Sequence, residues 1–202
     1  MDNFPPVIEY ARKKNPFANL NLLTGDLAEF SWKQKFDAIV AADFLEHLKK
    51  PGLILRKFHQ ILNPGGILLL SVPNGFGPFE IEVFLTEKTG IRKAMVKLLF
   101  FITRLRGKLE EQPPPPPEMQ APYNENSPHF QHFTLKRLKK LLEKSGFSVE
   151  KVRPGAFMGA LLTDLFLNRN EGFIRWNVEI AEKLPLFLIS TWNIKAKRKN
   201  GS

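Results

Sequence analysis

The sequence contains no cysteine among its 202 residues. This absence excludes disulfides, thiolate metal sites and a cysteine nucleophile, and it fits a reducing compartment. No apolar run reaches the roughly 18 residues that a membrane-spanning helix needs. The first ten residues carry prolines and acids where a secretory signal has its apolar core, so we expect a cytoplasmic protein.

The charge is unbalanced: 30 Lys and Arg stand against 20 Asp and Glu, which gives a formal net charge of +10. Such a surplus fits nucleic acid, an anionic membrane surface or an acidic substrate as a partner. The basic residues are spread over several predicted helices, where a solvated face is their usual role. Since no zinc finger, RNP-like strand or aromatic–basic interleaving accompanies them, we do not expect nucleic-acid binding.

Strands and helices alternate along the first part of the chain, which is typical of a parallel α/β sheet. Two apolar runs end in small and polar residues, as buried parallel strands do when they carry a site at their carboxyl ends. These runs are FDAIVAADFLEHL at Phe36–Leu48 and ILNPGGILLLSVPN at Ile61–Asn74. Around them, the pattern predicts helices at Pro5–Lys14 and Pro51–Leu62 and strands at Asn19–Thr24, Phe36–Ala42 and Ile67–Val72.

Residues 75–128 interrupt this alternation, and we interpret them as an insertion within a single domain that spans residues 1–202. The stretch contains a basic amphipathic helix predicted at Ile91–Leu109 and a proline run at Pro113–Pro117. Consecutive prolines cannot donate to a helix or a sheet, so the run favours an extended spacer. Beyond the insertion, the pattern predicts a helix at Thr134–Lys144, a strand at Phe147–Arg153, a helix at Glu171–Lys183, a strand at Leu186–Lys195 and a basic tail at Lys195–Lys199.

Five segments follow one another in a distinctive order: Asp2 with Ala11-Arg12 after it, LLTGD at Leu22–Asp26, FDAIVAADFLEHL, LNPGGILLLSVPN, and HFQHFTLKRLKKLLEKSGF at His129–Phe147. In this order they resemble the class I S-adenosylmethionine-dependent methyltransferases, especially the group that includes quinone-biosynthesis enzymes. The resemblance implies a Rossmann-like sheet of seven strands, one of them reversed, with helices on both faces and the insertion after the fifth strand. It also implies an enzyme that uses S-adenosyl-L-methionine to methylate a small-molecule acceptor.

The resemblance assigns five residues to the cofactor. Asp2 would accept hydrogen bonds from the ribose hydroxyls, since a carboxylate can accept two such bonds from a vicinal diol. Asp26 would accept from the adenine amino group, and Leu27 would add a backbone contact and an apolar wall. Ala42 and Asp43 would pass under the methionine portion. The alternative for Asp26 is a turn residue after a glycine, and the alternative for Asp2 is a frayed terminus.

The sequence departs from the family at the glycine-rich turn of the GxGxG kind that precedes the acidic strand end. That turn lets the backbone approach the cofactor closely, and no segment of this sequence supplies it. We therefore expect a sheet that lacks the first strand and most of the second, with unpaired backbone groups beside the gap. We also expect a sequence truncated before the glycine-rich motif.

Two histidines, His47 and His132, are the candidate catalytic residues, because a nearby base assists methyl transfer to a hydroxyl. Asp43 and Glu46 are further titratable groups expected, with His47, at the active edge of the sheet, and His129 is expected with His132 near the substrate side. The alternative for His47 is a residue at a helix start that is hydrogen-bonded to the loop, and the alternative for His132 is a structural bridge to the edge of the fourth strand. No metal site is expected.

The expected acceptor is a hydroxyl of a lipid-, quinone- or glycan-type molecule. Ile91–Leu109 would either dock an anionic membrane surface, which makes the protein peripheral, or pack on the domain as a lid. Two other functions stay open at this point. One is a non-catalytic methyltransferase-like fragment or partner subunit that borrows a strand, and the other is a basic membrane- or RNA-associated protein that uses the fold as a platform.

Overall fold

The computed structural model describes residues 1–81, 84, 129–158 and 171–200. These residues belong to two compact units, one that includes Met1–Gln34 and one that takes in the described residues from Lys35 onward. The helix predicted at Ile91–Leu109 and the proline run lie outside the described residues. Those features, the insertion and the single-domain organisation stay predictions.

In the first unit, helix α1 spans Pro5–Lys14 as predicted. Proline suits the first turn of a helix because its missing N–H has no helical partner there. Three basic residues fill the last turn, where they favour the negative end of the helix dipole; they are Arg12, Lys13 and Lys14.

The strand predicted at Asn19–Thr24 is wrong: the segment forms a single parallel bridge, between Asp2 and Thr24. Two backbone hydrogen bonds make the bridge, from Asp2 N to Leu23 O at 3.1 Å and from Gly25 N to Asp2 O at 2.9 Å. The segment that contains Asp2 enters helix α1 at Pro5. The two segments therefore run side by side only far enough to form one β-bridge.

The second unit contains a four-stranded sheet with the order β1-β2-β4-β3. Strand β1 pairs in parallel with β2, whereas β4 runs antiparallel to both of its neighbours. The sheet therefore has the one reversed strand that the resemblance implies. The strand bounds are Phe36–Ala42 for β1, Leu62–Pro73 for β2, Phe147–Pro154 for β3 and Thr191–Arg198 for β4.

The two parallel strands lie side by side, and their pairing ends near their carboxyl ends, where Ala42 pairs with Ser71. Helix α2, Pro51–Ile61, joins them and runs directly into β2. The register jumps from the Phe36–Leu62 pair to the Ala38–Ile67 pair, so residues 63–66 form a bulge. Regular pairing thus resumes at Ile67, where the sequence predicts the strand to begin.

Strand β1 lies at the edge of this sheet, and its outer side pairs with no named strand of the described chain. Val40 is 71% exposed there, while Leu68 and Val72 of the neighbouring strand β2 are fully buried. An apolar edge of this kind is a place where a further strand can add. The truncation inferred from the sequence stays a prediction.

Helix α3, Leu135–Lys144, packs against α2 and β3 and buries Leu138 and Leu142. Thr134 caps its first turn, because its side chain accepts a hydrogen bond from Arg137 N. Helix α4 spans Glu171–Lys183, with the bounds that the sequence predicts.

The last strand begins later than predicted and includes the residues expected to form a basic tail. Leu186–Leu188 form a 3-10 turn, and β4 follows at Thr191. Lys195 then makes a 2.8 Å ion pair with Glu150 of β3. The reason is the period-two alternation of this stretch, which buries Trp192, Ile194 and Ala196 and turns the basic side chains outward.

None of the helices in the described part of the chain has the length and apolarity needed to span a bilayer.

Candidate functional site

The carboxyl end of β1 is the first part of the candidate site. Asp43 follows the strand with a φ of +45°, a left-handed conformation that Asp tolerates better than most side chains. Ser71 of β2 holds it there, since its carbonyl accepts from Asp43 N at 3.0 Å and its hydroxyl donates to the Asp43 carboxylate at 3.1 Å. Ala42 is exposed beside it. A small residue and a fixed turn thus lie at the sheet edge where the sequence places the methionine portion of the cofactor.

Glu46 is a buried carboxylate directly after this turn. It lies in the 3-10 turn Leu45–His47, and its side chain is 1% exposed. Within the described part of the chain, its Oε2 atom has no hydrogen-bond partner. Burial raises the pKa of Glu46 to about 7, and the Asp43 carboxylate adds to that rise. Near neutral pH the folded protein therefore contains both the neutral and the ionised form of this group.

Three histidines surround Glu46 and a second carboxylate, Glu80, which lies in a short helical segment after β2. His47 Nε2 is 3.9 Å from Glu46 Oε1. His129 donates from Nδ1 to Glu80 Oε1 at 2.8 Å, and His132 Nδ1 is 3.7 Å from Glu80 Oε2. The rings of His47 and His129 meet edge to face, with centroids 5.0 Å apart. We call these five residues the Glu–His cluster.

The backbone of Glu46 anchors the histidine segment to the turn. Its carbonyl oxygen accepts from Phe130 N at 2.8 Å and from Gln131 N at 3.0 Å. The hydrogen bond to Glu80 raises the pKa of His129 because it favours the charged imidazolium. The cluster therefore combines a carboxyl group and an imidazole whose pKa values are both raised.

The sequence names four members of the Glu–His cluster and misses the fifth, Glu80. It places His47 and Glu46 at the active edge and His129 near the substrate side, and the structure brings these three together. His132 faces Glu80 and is 52% exposed. Glu80 falls within the predicted insertion, where no motif or periodicity marks a functional carboxylate, so sequence reasoning had no signal for it.

In the first unit, the two predicted adenosine ligands lie beside the Asp2–Thr24 bridge. Asp2 Oδ1 accepts from Phe4 N at 2.8 Å, and Asp26 Oδ1 accepts from Ala28 N at 2.7 Å. The turn role considered for Asp26 is thus present, and it involves one carboxylate oxygen. Leu27 is half-buried next to it. Paired carboxylates at adjacent segment ends fit a ribose diol and an adenine amino group by their chemistry.

An apolar cavity of about 440 Å³ lies at the carboxyl end of β2. Asn74 shapes it, since its side chain is buried and donates to the carbonyls of Phe187 and Ile189 at 3.0 and 2.9 Å. The lining residues are Asn74, Phe76, Thr134, Leu135, Leu186, Phe187 and Trp192.

The cavity and the Glu–His cluster flank one short segment, residues 132–134. Gly75 N donates to Phe133 O at 2.9 Å, and a side chain at Gly75 would place its Cβ 2.5 Å from the backbone of His132. Only glycine allows the tip of β2 to approach so closely. His132 therefore belongs to the cluster, while Thr134 lines the cavity.

Comparison with solved structures gives the class of protein that this fold defines. The chain is similar to an S-adenosylmethionine-dependent methyltransferase from Mesorhizobium loti, with 16% identity and a TM-score of 0.54 over 95% of this chain and 75% of that one. It is also similar to a candidate methyltransferase from Bacillus halodurans, with 14% identity and a TM-score of 0.52 over 98% and 81% of the two chains.

A third similar structure is a complex of the Trm112 methyltransferase activator and a candidate methyltransferase from Haloferax volcanii. The identity is 12% and the TM-score 0.52, with 96% of this chain and 68% of that chain covered. At such identities the likeness shows the fold, which is the Rossmann-like methyltransferase fold. No curated protein sequence matches the chain.

A family model for the methyltransferase domain matches residues 4–152, and the chain belongs to this family. The match covers most of the chain and includes α1, the end of β1 and the segment that carries His129 and His132. The expectation of a class I methyltransferase domain with S-adenosyl-L-methionine as its cofactor is confirmed. The roles of the individual site residues stay proposals.

Proposed function

We propose that the protein methylates a hydroxyl group of an apolar small molecule, of the lipid or quinone type. The observation that carries this proposal is the Glu–His cluster, a group of titratable side chains next to an apolar cavity at the carboxyl ends of β1 and β2. Ligands of α/β folds bind at this edge of the sheet, so proton acceptors and an apolar wall there suit such an acceptor.

When bound, S-adenosyl-L-methionine would supply a methyl group on a positively charged sulfur, so that the acceptor oxygen would gain a C–O bond in place of the C–S bond. The protein has to align the acceptor in a dry pocket and remove the hydroxyl proton. His132 and His47 are the proposed bases. His129 suits this task less well, because its raised pKa keeps more of it protonated near neutral pH.

Cofactor binding is proposed for Asp2, Asp26 and Leu27 on the adenosine side and for Ala42 and Asp43 on the methionine side. Their carboxylates and small side chains fit those contacts in chemistry. In the absence of a glycine-rich turn, these residues would carry more of the binding than they do in the family pattern.

The acceptor class is inferred from the cavity lining. Phe76 and Phe187 are 64% and 69% exposed, and they offer aromatic surface that an apolar ring or chain can cover. This lining favours a lipid- or quinone-type acceptor over a glycan-type one. Docking to an anionic membrane through Ile91–Leu109 would bring such acceptors within reach, and flotation with anionic liposomes at low salt tests it.

The test is an assay for S-adenosylhomocysteine released from S-adenosyl-L-methionine, with a prenylated catechol, a long-chain phenol and a simple sugar as acceptors. We expect release with the two apolar acceptors. His132→Ala and His47→Ala should each lower turnover by about 100-fold, since general-base catalysis is worth about that much. His59→Ala is the matched control outside the cluster. No release with any acceptor would contradict the proposal.

A second candidate function is a non-catalytic methyltransferase-like subunit, and the exposed edge of β1 favours it. That edge has Val40 in solvent and room for a strand from a partner. The similar structure from Haloferax volcanii is a complex with an activator protein, so this fold accepts a partner subunit. Titration with S-adenosylhomocysteine separates the two candidates, because the subunit alone would not bind it.

A further inference from the structure

Glu46, His47 and His129 form a set of side chains with the composition of a metal site. One ligand atom from each, a carboxylate oxygen and two ring nitrogens, lies within 4.8 Å of the other two. A cation at their centre would be within about 3 Å of each atom, compared with about 2.1 Å in a bound zinc site, so small side-chain rotations suffice. We propose that this set binds one divalent transition-metal cation of the Zn²⁺ type.

The state of Glu46 is the second observation that points to a cation. Its side chain is 1% exposed, and its Oε2 atom has no hydrogen-bond partner among the residues that the structure describes. A buried carboxylate oxygen without a partner is costly, and native structures rarely retain one without a compensating group.

Glu80 gives His129 the support that metal-binding histidines usually have. Because His129 Nδ1 donates to Glu80 Oε1 at 2.8 Å, the ring orientation is fixed and Nε2 remains as the ligand nitrogen. A second carboxylate that orients a ligand histidine is typical of metal sites in proteins. His132, whose Nδ1 is 3.7 Å from Glu80 Oε2, would lie outside the ligand set. With the cation bound, His47 would serve as a ligand, and His132 alone would remain as the proposed base.

The composition of the set indicates which cation it takes. One carboxylate and two imidazoles suit zinc and its neighbours, whereas Mg²⁺ prefers a shell of oxygen ligands. Three protein ligands leave a fourth position open. The His47 and His129 side chains are 29% and 26% exposed, so the site can be reached from solvent. Use of the open position to polarise the acceptor hydroxyl rests on the proposed function; cation binding does not.

The experiment is a zinc titration of the metal-stripped 202-residue chain. Calorimetry monitors the titration, in the presence of a competing chelator of known zinc affinity. We expect one zinc per chain. His129→Ala and Glu46→Gln should weaken zinc binding by more than about 100-fold, and Glu80→Gln by about 10-fold to 100-fold. The matched control is His59→Ala, whose ring contacts Phe147 and lies outside the cluster.

Equal zinc affinity in all of these proteins, no binding at zinc concentrations of about 100 µM, or tighter binding of Mg²⁺ than of Zn²⁺ would each overturn the inference. Far-UV circular dichroism in chelator shows which variants fold. If Glu46→Gln does not fold, His129→Asn takes its place. Zinc should also raise the melting temperature of the natural chain and leave that of His129→Asn unchanged. The zinc titration contains neither cofactor nor acceptor, so it tests the cation site independently of methyl transfer. A chain that binds zinc but transfers no methyl group would support the cation site and overturn the proposed function.

Discussion

His129 donates a 2.8 Å hydrogen bond from Nδ1 to Glu80 Oε1, which joins two residues 49 positions apart in the sequence. The bond links the segment after β2 to the segment before α3. It also gives the Glu–His cluster its second carboxylate, so the candidate site depends on a contact between distant parts of the chain.

The first prediction concerns the pH dependence of stability through this bond. The pKa of His129 is raised in the folded protein, so the bond stabilises the fold fully below the unfolded pKa of 6.5 and less as pH rises through the folded value. Glu80→Gln should therefore cost about 1–2 kcal/mol of unfolding free energy at pH 6 and clearly less at pH 9. Urea denaturation in chelator at both pH values measures the difference. An equal cost at pH 6 and pH 9 would show that the bond does not depend on the imidazolium.

The second prediction concerns Glu46. Its pKa is raised from 4.5 to about 7, so its ionisation in the folded protein opposes folding, and the natural chain loses stability as pH rises between these values. Glu46→Gln removes that charge at nearly constant shape. We expect the variant to exceed the natural chain in stability by about 3 kcal/mol at pH 8 and to match it near pH 4.5.

Urea denaturation in chelator measures this difference, and Glu143→Gln on α3 provides a control for the loss of one negative charge. A Glu46→Gln variant that is less stable than the natural chain at pH 8 would contradict the raised pKa. With zinc in place of chelator the order should reverse, because the natural chain then gains a ligand for the cation.

The third prediction concerns the contact between the tip of β2 and the histidine segment. A Cβ at Gly75 would lie 2.5 Å from the His132 backbone, so Gly75→Ala should destabilise the protein by more than about 2 kcal/mol. Gly52→Ala in α2 is the matched control, because its Cβ would meet its nearest neighbour, Leu141, at 3.4 Å. Thermal unfolding of both variants measures the effect. Equal melting temperatures would show that the tip has room to move.

Local patterns in the sequence were sufficient to predict the bounds of three elements. The bounds of α1, β1 and α4 follow from proline at a helix start, an apolar run and amphipathic spacing. The prediction of a strand at Asn19–Thr24 failed because a strand needs a partner strand of matching length. The residues of Asn19–Thr24 alone do not show whether such a partner exists. The predicted start of β4 at Leu186 was wrong for a related reason. The apolar residues Leu186–Leu188 suit a 3-10 turn as well as a strand.

The candidate site could be predicted only in part. His47 and Glu46 follow a buried strand, which is a local signal for the active edge of a sheet. The burial of the Glu46 side chain could not be predicted from the neighbouring residues. Carboxylates are rarely buried, and nothing in the adjacent sequence marks this one as an exception. The pairing of Glu80 with His129 depends on the path of the chain between them, so it could be found only in three dimensions.

The most direct test of the central claim is calorimetric titration of the 202-residue chain with S-adenosylhomocysteine. The account predicts one binding site per chain. Asp2→Ala and Asp26→Ala should each weaken binding by about tenfold, which corresponds to about 1.4 kcal/mol, whereas Asp37→Ala at the start of β1 should leave it unchanged. Absence of binding by the natural chain would contradict its proposed role as a methyltransferase and would favour the non-catalytic subunit.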